Sequence, residues 1–267
     1  MQPPPCANPV ASPATDLEVR QQTIRVMERL NMFGVLSGSP EEVADWGAAA
    51  PSRFIPGLAF RIVPGAMSPD RMRALVTSGA VEVLAEVTNQ YEGIAPDDER
   101  MEPYWALAEE LDLPVGLHMG PGPPGVSYLA DPRYRASLSS ALLLEDVLVR
   151  HPRLRVYIMH AGFPLVDDLL ALLYAHPQVY VELGVVVFTR PRADLYDFLE
   201  RVMNAGFGDR VMFGSDQMNW PGVLEPAVQV IVDAPFLSEG QRRDILYNNA
   251  ARFLRLTKAE QDIHWRR

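Results

Sequence analysis

The sequence predicts an α/β fold of the TIM (β/α)8 barrel type in which the first strand is missing or replaced. Three observations carry this. From residue 17 onward, short Val- and Ile-rich runs alternate with longer segments of helical period. The runs recur on average about every 30 residues, close to the spacing of about 31 that an eight-unit barrel of about 250 residues allots to each unit. The segment left for an eighth strand, Met1 to Asp16, holds five prolines, and proline donates no ladder hydrogen bond. A doubly wound open sheet uses similar units, and repeat length alone does not separate the two.

Taken in order, a helix is expected at 17–31 and strands at 33–37, 54–62, 81–87, 114–118, 154–160, 179–184 and 210–215. Leu138, Ala141, Leu142 and Leu148 give the helix before the fifth strand an apolar stripe. Leu165, Leu169, Leu172 and Leu173 do the same for 164–175, with Pro164 placed in its first turn. VRHPRLRV (149–156) and YAHPQVYV (174–181) each set His-Pro between a helix end and the next strand. Proline stops the helix and histidine suits its negative pole. No Gly/Ser linker or charge run interrupts the pattern. One barrel domain over 17–256 is therefore expected, after a Pro-rich segment (1–16) and before a polar tail (257–267).

Composition narrows the class. The chain has 267 residues, 48% of them apolar, and a net charge of −10, which exclude general disorder and argue against nucleic acid or anionic membrane as the main partner. Cys6 is the only cysteine, so neither a disulfide framework nor a cysteine-based zinc site is available. No signal-peptide pattern and no bilayer-length apolar run is visible. A cytoplasmic enzyme acting on a small molecule is expected. The strands at 33–37 and 210–215 would present open edges, expected to be covered by the N-terminal segment or by another copy of the chain in a homo-oligomer.

In such a barrel the chemistry sits where strands end. Three expected strands finish in metal-competent groups: His118, His160 and Asp216. Two imidazoles and a carboxylate meeting on the barrel axis can hold Zn²⁺ or a similar ion and supply a general base. Glu86 ends the third strand and offers a further ligand or base, or else a partly buried structural carboxylate. His151 and His176 fall at helix ends on the opposite face and are read as structural, and His264 as solvated. Arg61 and Arg190 offer bidentate pairing to a substrate carboxylate, or structural ion pairs. Trp220, Tyr91, Phe163 and Phe188 are pocket-wall or core candidates.

Gly120, Gly122 and Gly125 match GxGxxG directly after a strand, but the intervening residues in GPGPPG are all proline. Phosphate cradling needs the backbone N–H groups that proline lacks. Residues 120–136 are therefore read as a stiffened loop over the barrel mouth, with helical pattern resuming at about 137.

The segments LPVGLHMGPGPPG (113–125), RHPRLRVYIMHAGFP (150–164), HPQVYVELG (176–184), DRVMFGSDQMNWP (209–221) and ILYNNAARFLRL (245–256) resemble successive signatures of the amidohydrolase superfamily. The resemblance spans about 17–256. It points to the branch that includes aminocarboxymuconate semialdehyde decarboxylase and pyrone dicarboxylate lactonase. It implies that His118 is the histidine ligand of the fifth barrel strand and that His160, on the sixth, orients or deprotonates the attacking water. Asp216 is implied to be the eighth-strand aspartate, a metal ligand or proton shuttle. Hydrolysis of a small carboxylate, amide or lactone follows, with non-oxidative decarboxylation as the alternative.

One departure limits this. The family carries a His-x-His pair at the end of its first strand, and this sequence has no histidine before residue 118. Without that pair the ligand set is incomplete. Three expectations follow: the recorded chain starts at an internal methionine, the protein works without metal through Asp216 and His160, or it is an inactive paralogue that binds a ligand or partner.

Overall fold

Seven parallel strands follow one another in sequence order in the computed structural model, which describes residues 9–266. Cys6 and the first half of the Pro-rich opening, residues 1–8, lie outside the described residues. Helix α1 (Asp16–Arg29) is followed by β1 (Gly34–Gly38), α2 (Pro40–Ala49), β2 (Phe54–Leu58), α3 (Pro69–Thr77), β3 (Leu84–Val87) and α4 (Glu102–Glu110). Next come β4 (Val115–His118), the one-turn α5 (Val126–Leu129), α6 (Glu145–Arg150), β5 (Val156–Met159), α7 (Val166–Ala175) and β6 (Val179–Glu182). After β6 run α8 (Val186–Thr189), α9 (Arg192–Asn204), β7 (Val211–Met212), α10 (Leu224–Val232), α11 (Glu239–Arg243), α12 (Asn249–Phe253) and α13 (Lys258–Trp265). Thr15, Ser39, Ser238 and Thr257 each start a helix with a capping box, to Glu18, Glu42, Gln241 and Glu260.

Strand β1 pairs with β2, and β3 through β7 pair in order. Bridges at Gly57–Val83 and Phe60–Val87 join the two sets. Among the described residues no strand links β7 back to β1. The outer side of β7 is partly used by Phe213 N–H, which donates to Ile245 O at 2.7 Å. Helix α1 reaches the β7 loop through Gln217 Nε2, which donates to Thr23 Oγ1 at 3.3 Å.

Alternation along the strands separates two cores. Val115, Leu117, Val156, Ile158, Val179, Val181 and Val211 face outward and pack with Leu144, Leu169, Leu172 and Leu199 of the helical layer. Between them in sequence, Tyr157, Tyr180 and Met212 face inward with Val83, Ala85 and Phe253 and fill the lumen. Gly116 makes room for the lumen ring of Tyr157, because a Cβ there would lie 2.4 Å from it.

Several expectations change in detail. The stretch 136–150 is two 3₁₀ turns and then α6, so Ala141, Leu144 and Val147 are buried at the three-residue period while Leu142 is exposed. Pro164 precedes α7 rather than lying in its first turn, since the helix is capped at Leu165. Loop 120–136 contains α5, too short to register as a helical period in the sequence. The polar tail folds as α13. His264, expected to be solvated, stacks on Phe33 with ring centroids 3.8 Å apart and bonds Tyr247 Oη at 2.8 Å.

Candidate active site

Side chains that point into the lumen at the C-terminal ends of the strands define the site. His118 ends β4 two residues beyond inward-facing Gly116, so strand parity alone aims it inward. Glu86 needs a different device. Leu84 pairs with Val115 and Val87 with Leu117, setting two residues of β3 against one of β4. This bulge leaves Leu84 and Val87 in the outer core and turns both Ala85 and Glu86 inward. His160 follows β5 in a turn with positive φ at both His160 and Ala161. Gly120 permits its approach, since a Cβ there would lie 2.4 Å from His160 Cβ.

The ligand-capable atoms of Glu86, His118 and His160 lie within 4.8 Å of one another. His160 Nε2 is 3.2 Å and His118 Nε2 4.0 Å from Glu86 Oε1. Each Nδ1 is engaged from behind, His118 with Gln90 Oε1 at 2.8 Å and His160 with Gly184 O at 2.9 Å. Gln90 is itself held, donating to Ser139 Oγ at 2.9 Å and to Gly120 O at 3.2 Å. The two imidazoles are 5% and 1% exposed, so their rings are fixed by packing as well as by bonds.

Burial and the field of His160 push the His118 imidazole down to about 3, partly offset by Glu86, so it is neutral at pH 7. For His160 burial acts downward but is outweighed by the hydrogen bond to Glu86 and the charges of Glu86, Glu182 and Asp216, which lift it well above the imidazole range. Burial acts upward on Glu86 and is outweighed by the same hydrogen bond, leaving its carboxyl lowered. The pair is thus an ion pair when nothing else is bound. Asp216 is not one of the three clustered ligands. It sits beyond β7 at positive φ, and burial with the nearby charge of Glu86 lifts its carboxyl to about 6.

Glu182 carries no functional reading from the sequence. It is 6% exposed at the inward end of β6, and burial raises its carboxyl to about 7. The signal was a lone charge inside the apolar run VYVELGVVVF. Gln90 was likewise missed, because an amide after a strand looks like any loop residue.

The substrate-binding candidates lie in loops on the same face. Arg61, half exposed, pairs with buried Glu92 at 3.4 Å, and Arg133 pairs with the same carboxylate. Arg190 lies over the Phe163 ring at 5.9 Å, with its Nε buried and unpartnered. Trp220 is half-buried at the start of the turn Pro221–Val223. Tyr91 does wall the site, with its ring 4.8 Å from that of His118. Phe163 and Phe188 belong to the outer core, Phe163 against Phe198 of α9. His151 and His176 cap the C-termini of α6 and α7, as expected of structural residues.

The fold is thus of the parallel βα-barrel class, with a buried His/His/carboxylate group at the C-terminal ends of its strands as a candidate metal site. The sequence profile of the amidohydrolase family matches residues 2–256, and the chain belongs to that family. No curated protein matches the sequence. Among solved structures, an uncharacterized TIM-barrel protein from Bordetella bronchiseptica is 19% identical, with TM-score 0.66 over 89% of this chain and 90% of its own. The 5-carboxyvanillate decarboxylase LigW from Sphingomonas paucimobilis is 19% identical, with TM-score 0.62 over 88% and 82%. A probable 2-pyrone-4,6-dicarboxylic acid hydrolase from Acinetobacter baumannii, with citric acid bound, is 16% identical, with TM-score 0.65 over 89% of each chain. The shared fold hosts both hydrolases and decarboxylases. Among the described residues no helix is long and apolar enough to cross a membrane.

Proposed function

We propose that the protein is a hydrolase acting on a small carboxylate, amide or lactone, with Glu86, His118 and His160 holding a divalent ion and Asp216 moving protons. The convergence of those three buried side chains carries the reading. They fit such an ion because both imidazoles have Nδ1 engaged from behind, which leaves Nε2 facing Glu86. Two nitrogens and one carboxylate oxygen suit Zn²⁺ in a catalytic site that keeps a position open. When bound, the ion supplies Lewis-acid polarisation of a carbonyl and acidifies water.

The remaining roles fall to the chain's own groups. Asp216, with its carboxyl lifted to about 6, is ionised near neutrality. It takes a proton from the attacking water and returns it to the leaving group. Arg61 and Arg190 orient a substrate carboxylate, and Trp220 and Tyr91 wall the pocket against water. The substrate is a small molecule, neither nucleic acid nor membrane is a partner, and the chain works as a cytoplasmic homo-oligomer.

The test is direct. Protein produced with Zn²⁺ or Mn²⁺ supplementation is expected to retain one of these ions and to turn over members of a panel of lactones, amides and aromatic carboxylates. Release of CO2 in place of hydrolytic product would reassign the site to non-oxidative decarboxylation. Neither metal nor turnover would favour a ligand-binding paralogue.

A further inference from the structure

We propose that Glu182 is a positioning residue for His160, acting through the Gly184 peptide. Gly184 N–H donates to Glu182 Oε1 at 2.5 Å, and the carbonyl of the same residue accepts from His160 Nδ1 at 2.9 Å. One carboxylate thereby sets the backbone whose carbonyl decides which way the imidazole faces. With Nδ1–H committed to Gly184 O, Nε2 is the nitrogen turned to Glu86 and His118.

The slot is built for this side chain. A Cβ on residue 214 would lie 1.4 Å from Glu182 Oε1, and one on residue 184 would lie 2.6 Å from it. Only glycine at both positions admits the carboxyl. The turn it holds is strained, because Val185, a β-branched residue, sits at φ +62. Val185 N–H donates to Ser215 O at 3.0 Å and Val186 N–H to Gly184 O at 2.6 Å. Removing the Glu182 bond would orphan the buried Gly184 N–H, and such a turn persists only while its bonds over-determine it. Glu182 Oε2 is buried and has no hydrogen-bond partner. A core carboxyl kept with one oxygen unsatisfied is costly, which fits a task other than packing.

The inference rests on the proposed site insofar as His160 belongs to it, so its first readout uses metal-free protein. In ¹⁵N-histidine-labelled protein, the His160 Nδ1–H resonance is assigned by its loss in His160→Gln. Glu182→Gln, which keeps length and acceptor, is expected to retain that resonance. Glu182→Asp, which keeps charge but loses reach, and Glu182→Leu are expected to lose it to solvent exchange. Co²⁺ titration adds a second readout, with about 10–100-fold weaker binding expected in the Asp and Leu variants and near wild-type binding in Gln. If Leu does not fold, Asp decides. A wild-type resonance in Asp, or its loss in Gln, overturns the inference. Failure of wild type to bind Co²⁺ would count against the metal reading and leave the imidazole readout to decide this one.

Discussion

His160 Nε2 lies 3.2 Å from Glu86 Oε1, and this contact joins a histidine after β5 to a carboxylate on the bulge of β3 across the mouth of the barrel. Burial alone would neutralise both groups. Their mutual hydrogen bond keeps both charged, with the carboxyl lowered and the imidazole raised. A metal ion entering here would take over from the imidazolium proton as the positive partner of Glu86.

Removing the negative charge from Glu86 should therefore release His160. In Glu86→Gln the largest upward influences on the imidazole disappear and burial dominates, so its pKa should fall. Histidine NMR titration of the metal-free protein would read this. An unshifted His160 would mean that Glu182 and Asp216, not Glu86, set its charge.

Gln90 should matter for both stability and metal retention. Gln90→Leu strips the acceptor from His118 Nδ1 and from the buried Gly120 N–H. Each orphaned buried group costs about 1–3 kcal/mol, and loss of a ligand's outer hydrogen bond costs about 10–100-fold in metal affinity. Urea denaturation and Zn²⁺ titration would show both losses. A stable variant with unchanged Zn²⁺ affinity would remove Gln90 from the site.

At the opposite end of the barrel, His151 Nε2 is 2.8 Å from Glu102 Oε1, and His151 Nδ1 is 3.4 Å from Glu109 Oε2. The Arg153 backbone N–H, more than His151, holds the Glu109 carboxyl below its ordinary range. On Glu102 burial acts upward and is outweighed by His151 and Arg150. A carboxyl depressed in the folded state contributes stability above its unfolded pKa and loses it as pH falls through the folded value. Stability should drop on acidification below about pH 4, near the unfolded carboxylate range. Glu109→Gln should flatten that limb of the melting temperature against pH, whereas an identical acid limb would contradict the assignment.

The terminal helix should contribute measurably through one side chain. His264→Ala removes the stack on Phe33 and the bond to Tyr247. Together these are worth about 1–2 kcal/mol on typical values for an aromatic pair and a hydrogen bond. The shift in urea midpoint at constant slope would report it, and no shift would return His264 to the solvent-exposed role its polar surroundings imply.

The sequence by itself determined the βα period, seven strand positions and the two histidines that meet, because alternation and strand ends are local properties written in residue order. It also set apart His151 and His176, whose His-Pro context marks the other face. The third member of the cluster was decided only in three dimensions. The sequence places Asp216 and Glu86 alike at strand ends, yet the bulge in β3 brings Glu86 to the imidazoles while the positive-φ turn after β7 leaves Asp216 beside them. The sequence marks Glu182 as a lone charge in an apolar run, but its partners were decided in three dimensions for the same reason. Its place depends on lumen parity and on Gly214 of the loop after β7 leaving space for its carboxyl. Strand pairing and the curl of the sheet set such distances between residues far apart in the chain, and no periodicity within one segment encodes them.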